Sequence, residues 1–245
     1  VSGDASRRAT IVQVSQSQNR AVRRSPSKGR QLIISCLHTA DSNVAVFENA
    51  ARELGLSSAN LRHTVRADLL RAAEEAGGLT EDITQQTAAV LSALAAKADA
   101  VLLTCSTLGP SVVRAGLGTA VPILRVDAAL AEKAAATGGK LVVLCAVETT
   151  VAPTTALFAD AARRSGAVLE VRLVEGAWAL FKAGSRDGYL AAIARAAEAA
   201  YGDGASIVAL AQASMAGAAD HVRNGPRPLS SPAAGLEQAM NMIAD

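Results

Sequence analysis

The chain has 245 residues, half of them apolar, 19% charged and only 2% aromatic. That balance is too hydrophobic for a chain disordered throughout, and no run of eighteen or more apolar residues is free of charge, so neither a wholly disordered nor a membrane-spanning protein is expected. The net charge of +2 is unevenly placed: Arg7, Arg8, Arg20, Arg23, Arg24, Lys28 and Arg30 face only Asp4 in residues 1–30, which carry +6 and leave −4 on the rest. An acidic body almost without rings lacks the basic track and the stacking platform that nucleic acid requires, so no nucleic-acid partner is expected.

Residues 1–30 are rich in Ser, Arg and Gln and cannot support a core, so they are expected to form a disordered basic extension. Their composition also suits an organelle transit peptide, but there is no apolar segment of the secretory kind. From Gln31 onward, short apolar runs alternate with longer amphipathic ones, the signature of an α/β fold. Strands are predicted at residues 32–37, 61–65, 100–104, 122–126, 141–146, 169–173 and 206–210, several as continuous apolar runs suited to burial on both faces. Helices are predicted at 44–54, 82–97, 128–136, 154–165, 189–200 and 233–242, all favoured by high Ala content. Residues 226–232, bounded by Pro226 and Pro232, read as a loop.

The chain repeats itself. Ile33-Ile34-Ser35-Cys36 resembles Val142-Val143-Leu144-Cys145, and Val101 to Leu108 can be laid over Val208 to Met215. The repeat predicts two similar Rossmann-like halves with mainly parallel sheets, residues 31–126 and 127–225, flanking a central cleft, with residues 226–245 forming a loop and a helix that returns to the first half. In such sheets ligands bind beyond the carboxyl ends of the strands.

Three cysteines, Cys36, Cys105 and Cys145, form no C-x-x-C pair and no sequence cluster with histidine, which argues against a disulfide scaffold or a metal site. Reduced thiols and a cytoplasmic location are expected, with Cys36 and Cys145 as inert core residues. Cys105 differs because it follows the predicted strand 100–104 in Cys105-Ser106-Thr107-Leu108-Gly109-Pro110. Pro110 suits the first position of a helix, and a helix N-terminus near the thiol would favour a thiolate beside the hydroxyls of Ser106 and Thr107. His63 and His221 have no partners at ligand spacing and are read as ordinary surface or loop residues. No P-loop, nucleophile elbow or complete G-x-G-x-x-G is present, so no nucleotide cofactor is implied.

The strand-end Cys105-Ser106-Thr107 turn, at this distance from the first strand within a two-fold repeat, resembles the aspartate/glutamate racemase superfamily over about residues 31–235. That superfamily includes glutamate, aspartate and hydantoin racemases, maleate isomerase and arylmalonate decarboxylase. The resemblance implies a cofactor-independent enzyme acting on a small carboxylate, with a thiol in each half facing the substrate carbon. Cys105 fills the first of these positions, and Gln212, in Ala211-Gln212-Ala213-Ser214, stands where the second cysteine is expected. An amide cannot exchange a proton near neutral pH, so a one-thiol decarboxylase or cis/trans isomerase, or a binding protein without turnover, are the alternatives to a racemase. The resemblance also implies carboxylate binding by the loop after the first strand, containing His38 and Ser42, and by Thr149 and Thr150 in the second half, with Gln212 and Ser214 nearby. Helix capping alone would equally account for Ser42 and for the threonine pair. Trp178, Phe181 and Tyr189 are read as an aromatic cluster at a pocket mouth or a subunit contact, and a homo-oligomer is left open.

Overall fold

Apolar runs too short for a helix become the strands, and the Ala-rich segments between them supply the helices. The computed structural model describes residues 31–244, so the basic extension expected at 1–30 lies outside the described residues. The first part of the fold runs β1 (Ile34–His38), α1 (Ser42–Glu53), a 3-10 turn at Ser58–Asn60, β2 (Leu61–Val65), α2 (Ala67–Glu75), α3 (Glu81–Ala95), β3 (Ala100–Leu103), α4 (Ser111–Ala115) and β4 (Ile123–Arg125). The chain passes through α5 (Val126–Ala136) into β5 (Lys140–Cys145), a 3-10 turn at Glu148–Thr150, α6 (Val151–Ser165), β6 (Val168–Leu173), α7 (Ala177–Lys182), α8 (Arg186–Gly202) and β7 (Ile207–Leu210). A 3-10 segment at Ala213–Asp220, β8 (Leu229–Ser230) and α9 (Ser231–Ala244) complete it.

Two four-stranded sheets result, with orders β2-β1-β3-β4 and β6-β5-β7-β8, and every pairing in both is parallel. The fold class read from the sequence is therefore observed: a mixed α/β protein with two similar parallel sheets. The central strands are buried along their length apart from Lys140 at the start of β5, whereas edge strand β6 is half-exposed, as its mixed sequence Val-Leu-Glu-Val-Arg-Leu requires. Helix ends follow local chemistry. The hydroxyl of Thr80 accepts from the Ile83 N–H at 3.3 Å with Glu81 and Asp82 in the first turn of α3, and Gly166 closes α6 in the left-handed region at φ 75°.

Each sheet is packed on both faces. Ile34, Cys36, Phe47, Leu102, Leu236 and Ala239 form one buried cluster, which also contains Ala213. Leu37, Leu69, Leu91, Val101, Leu103 and Leu108 form another. In the second sheet, Leu141, Val143, Cys145, Phe158 and Ala234 lie in one cluster, and Val142, Leu144, Tyr189, Ile193 and Met215 in the other. Helix α9 thus contributes Ala234 to the core around β5 and Leu236 and Ala239 to the core around β1.

Three elements depart from the sequence reading. Helices α2 and α7 were not predicted, and β8 falls inside the stretch read as a loop, with α9 starting at Ser231 rather than Ala233. Helix α2 buries only Leu69 and Ala73, and α7 only Ala177, so neither has a sustained apolar stripe to read.

Candidate active site

Strand register defines the internal two-fold more sharply than sequence similarity does. Leu37 pairs with Leu103 in the first sheet and Leu144 with Leu210 in the second, so Leu37 is equivalent to Leu144 and Leu103 to Leu210. Counting outward, Cys105 stands 68 residues after Leu37 and Gln212 stands 68 after Leu144. Cys105 and Gln212 are therefore equivalent, each two residues beyond its strand. The same register corrects the apparent match of Cys36 with Cys145: the residue equivalent to Cys145 is His38, and Cys36 corresponds to Val143. Backbone bonds repeat the relation, with Arg66 N–H donating to His38 O and Val174 N–H to Cys145 O, both at 2.8 Å.

Cys105 is half-buried in a non-helical turn, with Ser106 and Thr107 exposed beside it. Fully buried Leu108 anchors the turn in the core, and Gly109 N–H donates to Ser106 O at 3.1 Å. A Cβ at position 109 would meet the Arg125 guanidinium, which Asp127 holds through bonds of 3.0 and 2.7 Å, so a larger residue there has to displace that side chain. The helix expected after the thiol begins six residues beyond it. Helix α4 starts only at Ser111 and has five residues, with Pro110 as its N-cap.

Gln212 is tied into its own half. Its Oε1 accepts from the Ala146 N–H at 2.9 Å, and its Nε2 donates to Thr150 Oγ1 at 3.1 Å, while the Thr150 hydroxyl donates to Val147 O at 2.6 Å. Thr150 and Thr154 also hydrogen-bond the buried Cys145 thiol, but burial is the larger influence and raises its pKa. Thr149 is exposed on the same loop. Thr150 occupies the N-cap position of α6 and Ser42 is the first residue of α1, whose N-cap is Asp41, but neither N-cap makes a side-chain cap bond, so no capping bond accounts for Ser42 or the threonine pair.

His38 faces inward. It is fully buried, with Nδ1 2.9 Å from Thr104 Oγ1 and Nε2 2.8 Å from His63 Nδ1; its ring lies 5.1 Å from that of Phe47. Burial, assisted by the neighbouring His63, pulls its pKa down to about 4, so the ring is neutral at neutral pH. His63, read as an ordinary surface residue, instead bonds His38 and, through Nε2, Glu48 Oε1 at 3.1 Å. Register explains what sequence spacing hides: Cys36 and His63 are direct partners on β1 and β2, and His38 lies two residues beyond Cys36 on the same face.

A cavity of about 170 Å3 lies where α1 meets the second sheet's elements. Ser42 and Val46 line it from α1, Ser214 from the segment after β7, and Phe181, Gly184, Arg186 and Tyr189 from α7 and α8. It brings together two of the predicted binding residues, Ser42 and Ser214; Cys105, Ser106, Thr107, Thr149, Thr150 and Gln212 are not on its wall. Tyr189 OH and Ser214 Oγ are 2.9 Å apart, and burial holds the phenol pKa at about 12. Phe181 and Tyr189 place the aromatic cluster at this cavity, with Trp178 stacked 5.0 Å from Phe181. Arg186, which sequence reasoning did not single out, also lines an adjoining cavity of about 520 Å3. Its position is set by the α7–α8 corner, which has no detectable relation to residue 42 in the sequence.

Comparison with known proteins bears directly on this arrangement. The family model for Asp/Glu/hydantoin racemase matches residues 39–239. The chain belongs to the Asp/Glu/hydantoin racemase family. Membership of that racemase family implies an isomerase, and the solved structures agree on the fold. An aspartate racemase of Picrophilus torridus superposes with TM-score 0.65 at 12% identity, covering 87% of this chain and 94% of that one. An aspartate racemase homologue from Pyrococcus horikoshii gives 0.62 at 13% identity, covering 87% and 99%. The allantoin racemase of Pseudomonas fluorescens gives 0.58 at 18% identity, covering 87% and 91%. A search among curated proteins finds no significant match. No helix among the described residues is long and apolar enough to cross a membrane.

Proposed function

We propose that this racemase-family protein is a cofactor-independent enzyme that transfers a proton at the carbon next to a carboxylate of a small amino acid or related acid, with Cys105 as its one acid–base thiol. The observation that carries the reading is the equivalence of Cys105 and Gln212 by strand register, together with the engagement of the Gln212 amide within its own half. Inversion by two thiols needs a base on one face of the carbon and an acid on the other. An amide supplies neither, so Cys105 serves one face only. It removes and returns a proton there, or protonates a carbanion left by decarboxylation, or adds to a double bond during cis/trans isomerisation.

Exposed Ser106 and Thr107 beside the thiol and Thr149 on the loop after β5 are suited to hold the carboxylate, as are Ser42 and Ser214 at the cavity. Gln212 and Thr150 act through the loop they fix, and His38 acts from behind the turn through Thr104, the residue before Cys105.

The test is exchange of solvent deuterium into amino acids, hydantoins, malonates and maleates, followed by NMR. Cys105→Ala is expected to abolish exchange into whichever compound the unmodified protein labels; undiminished labelling in that variant rules out the thiol. Gln212→Cys is expected to add racemisation of a labelled chiral substrate. Rapid interconversion of enantiomers by the unmodified protein would overturn the one-thiol reading.

A further inference from the structure

Beneath the Cys105 turn, β1 and β2 bring three ligand-type side chains to one place. The sulfur of Cys36 and one nitrogen each of His38 and His63 all lie within 4.8 Å of one another. Cys36 and His38 are fully buried, and His63 is 14% exposed on edge strand β2. We propose that Cys36, His38 and His63 form a binding site for a zinc-class divalent metal ion, separate from the proton-transfer site proposed for Cys105.

Hydrogen-bond bookkeeping supports the assignment. Thr104 Oγ1 lies 3.1 Å from Leu37 O and 2.9 Å from His38 Nδ1; with the hydroxyl proton directed to Leu37 O, the ring donates from Nδ1. That leaves a lone pair on His38 Nε2. On the other ring, Nε2–H of His63 donates to Glu48 Oε1, and the opposite oxygen of Glu48 accepts from Ser58 Oγ at 2.5 Å. That leaves a lone pair on His63 Nδ1. The two lone pairs point at each other across 2.8 Å, next to the Cys36 sulfur. In that pair of tautomers the contact is relieved by a proton on either ring or by a metal ion between them, and the Cys36 sulfur beside both nitrogens favours the metal. Metal-bound imidazoles characteristically give their outer nitrogen to a carboxylate or another oxygen, which fixes the tautomer and the ring orientation; Glu48 and Thr104 occupy those outer positions.

With the Cys36 thiol releasing its proton on binding, the donor set becomes one thiolate and two neutral imidazoles, which suits Zn2+ with a fourth position left to solvent. Tetrahedral zinc with Zn–N bonds of about 2.05 Å holds its nitrogens about 3.3 Å apart, so the rings must part by about 0.5 Å. His63 can make that adjustment, since it lies on an edge strand and is the one partly exposed ligand, and its exposed side is also the route of entry. Binding there would clamp β1 to β2 and hold His38 against Thr104, one residue before Cys105.

Cobalt(II), a coloured substitute for zinc, reports the site without reference to turnover. Full-length protein, stripped with chelator and kept reduced, is titrated with Co2+. One equivalent is expected to produce a thiolate-to-cobalt charge-transfer absorption that Zn2+ abolishes. Cys36→Ser is expected to lose this absorption, whereas Cys105→Ser and Cys145→Ser keep it. His63→Gln changes a partly exposed side chain, so it tests the site even if Cys36→Ser fails to fold; it is expected to weaken Co2+ binding at least tenfold, as is Glu48→Gln, which removes an outer partner. Absence of the absorption at one equivalent of Co2+, or its persistence in Cys36→Ser, overturns the proposal. Either result leaves the role of Cys105 untouched, because deuterium exchange is measured separately.

Discussion

Replacing Gln212 by Ala removes two hydrogen bonds that join the end of β7 to the loop after β5. Their costs differ. The Thr150 hydroxyl keeps the bond it donates to Val147 O, so losing the amide donor costs about 0.5–1 kcal/mol. Ala146 is only 3% exposed, and its N–H is left facing an emptied space, a penalty of about 1–3 kcal/mol for a buried donor. The sum is about 1.5–4 kcal/mol, a more than tenfold fall in the folded population ratio. In urea this is a midpoint shift of about 1 M if the slope is near 2–3 kcal/mol/M. Gln212→Glu is the informative control, because a carboxylate oxygen still accepts from Ala146 N–H, so it should recover most of the loss. A Gln212→Ala variant within about 0.5 kcal/mol of the unmodified protein, the scatter expected of an ordinary surface substitution, would refute the claim that this amide is a structural tie.

Two further outcomes follow from packing and charge. A Cβ at Gly235 would lie 2.6 Å from Val126 Cγ1 and 3.3 Å from its Cα, so Gly235→Ala sets a helix-propensity gain of about 1 kcal/mol against an overpacking cost of about 1–3 kcal/mol. A lower thermal midpoint is expected, and a raised one would show that α9 can move away from α5. Bonds from Arg172, and then Lys140, pull the Glu170 pKa from its ordinary 4.5 down to about 2. Its folded pKa is depressed, so the stabilisation it contributes is complete above about pH 4.5 and is lost as pH falls toward 2. Urea midpoints of Glu170→Gln and the unmodified protein should therefore converge across that window, and the gap at neutral pH should shrink with salt; a gap that persists at pH 2 would show that packing, not charge, is responsible.

The central architecture could be read from the sequence because continuous apolar runs have one economical use in an α/β protein. Leu61–Val65 was placed residue for residue, and the other predicted strands came within one or two residues of their observed ends. Elements with little to bury escaped, as β8 did with two half-buried residues. At the site, Cys105 and Gln212 were legible because each follows a run of buried strand. The cluster around His63 was not, because Cys36 and His63 are 27 positions apart in sequence and meet only through the parallel register of β1 and β2. Arg186 was hidden for a similar reason: it meets Ser42 only where elements of the two sheets converge.

The internal two-fold relates backbones more faithfully than chemistries, and the exchanges between its halves are informative. At one equivalent pair the first half has Cys105 and the second Gln212; at another the first has His38 and the second Cys145. In the second half the amide, two threonines and the buried thiol form one bonded group that satisfies itself, which is the arrangement of a fixed wall. In the first half the thiol stands half-buried in an exposed turn, while the histidine beneath it is bonded through Thr104 on one side and His63 on the other. A protein that needed equal acid–base groups on both sides of its substrate would keep the two sides alike. Here one side is bonded within itself and its thiol, Cys145, is buried, while the other presents Cys105 half-buried in an exposed turn, an asymmetry in keeping with the one-faced chemistry proposed for Cys105.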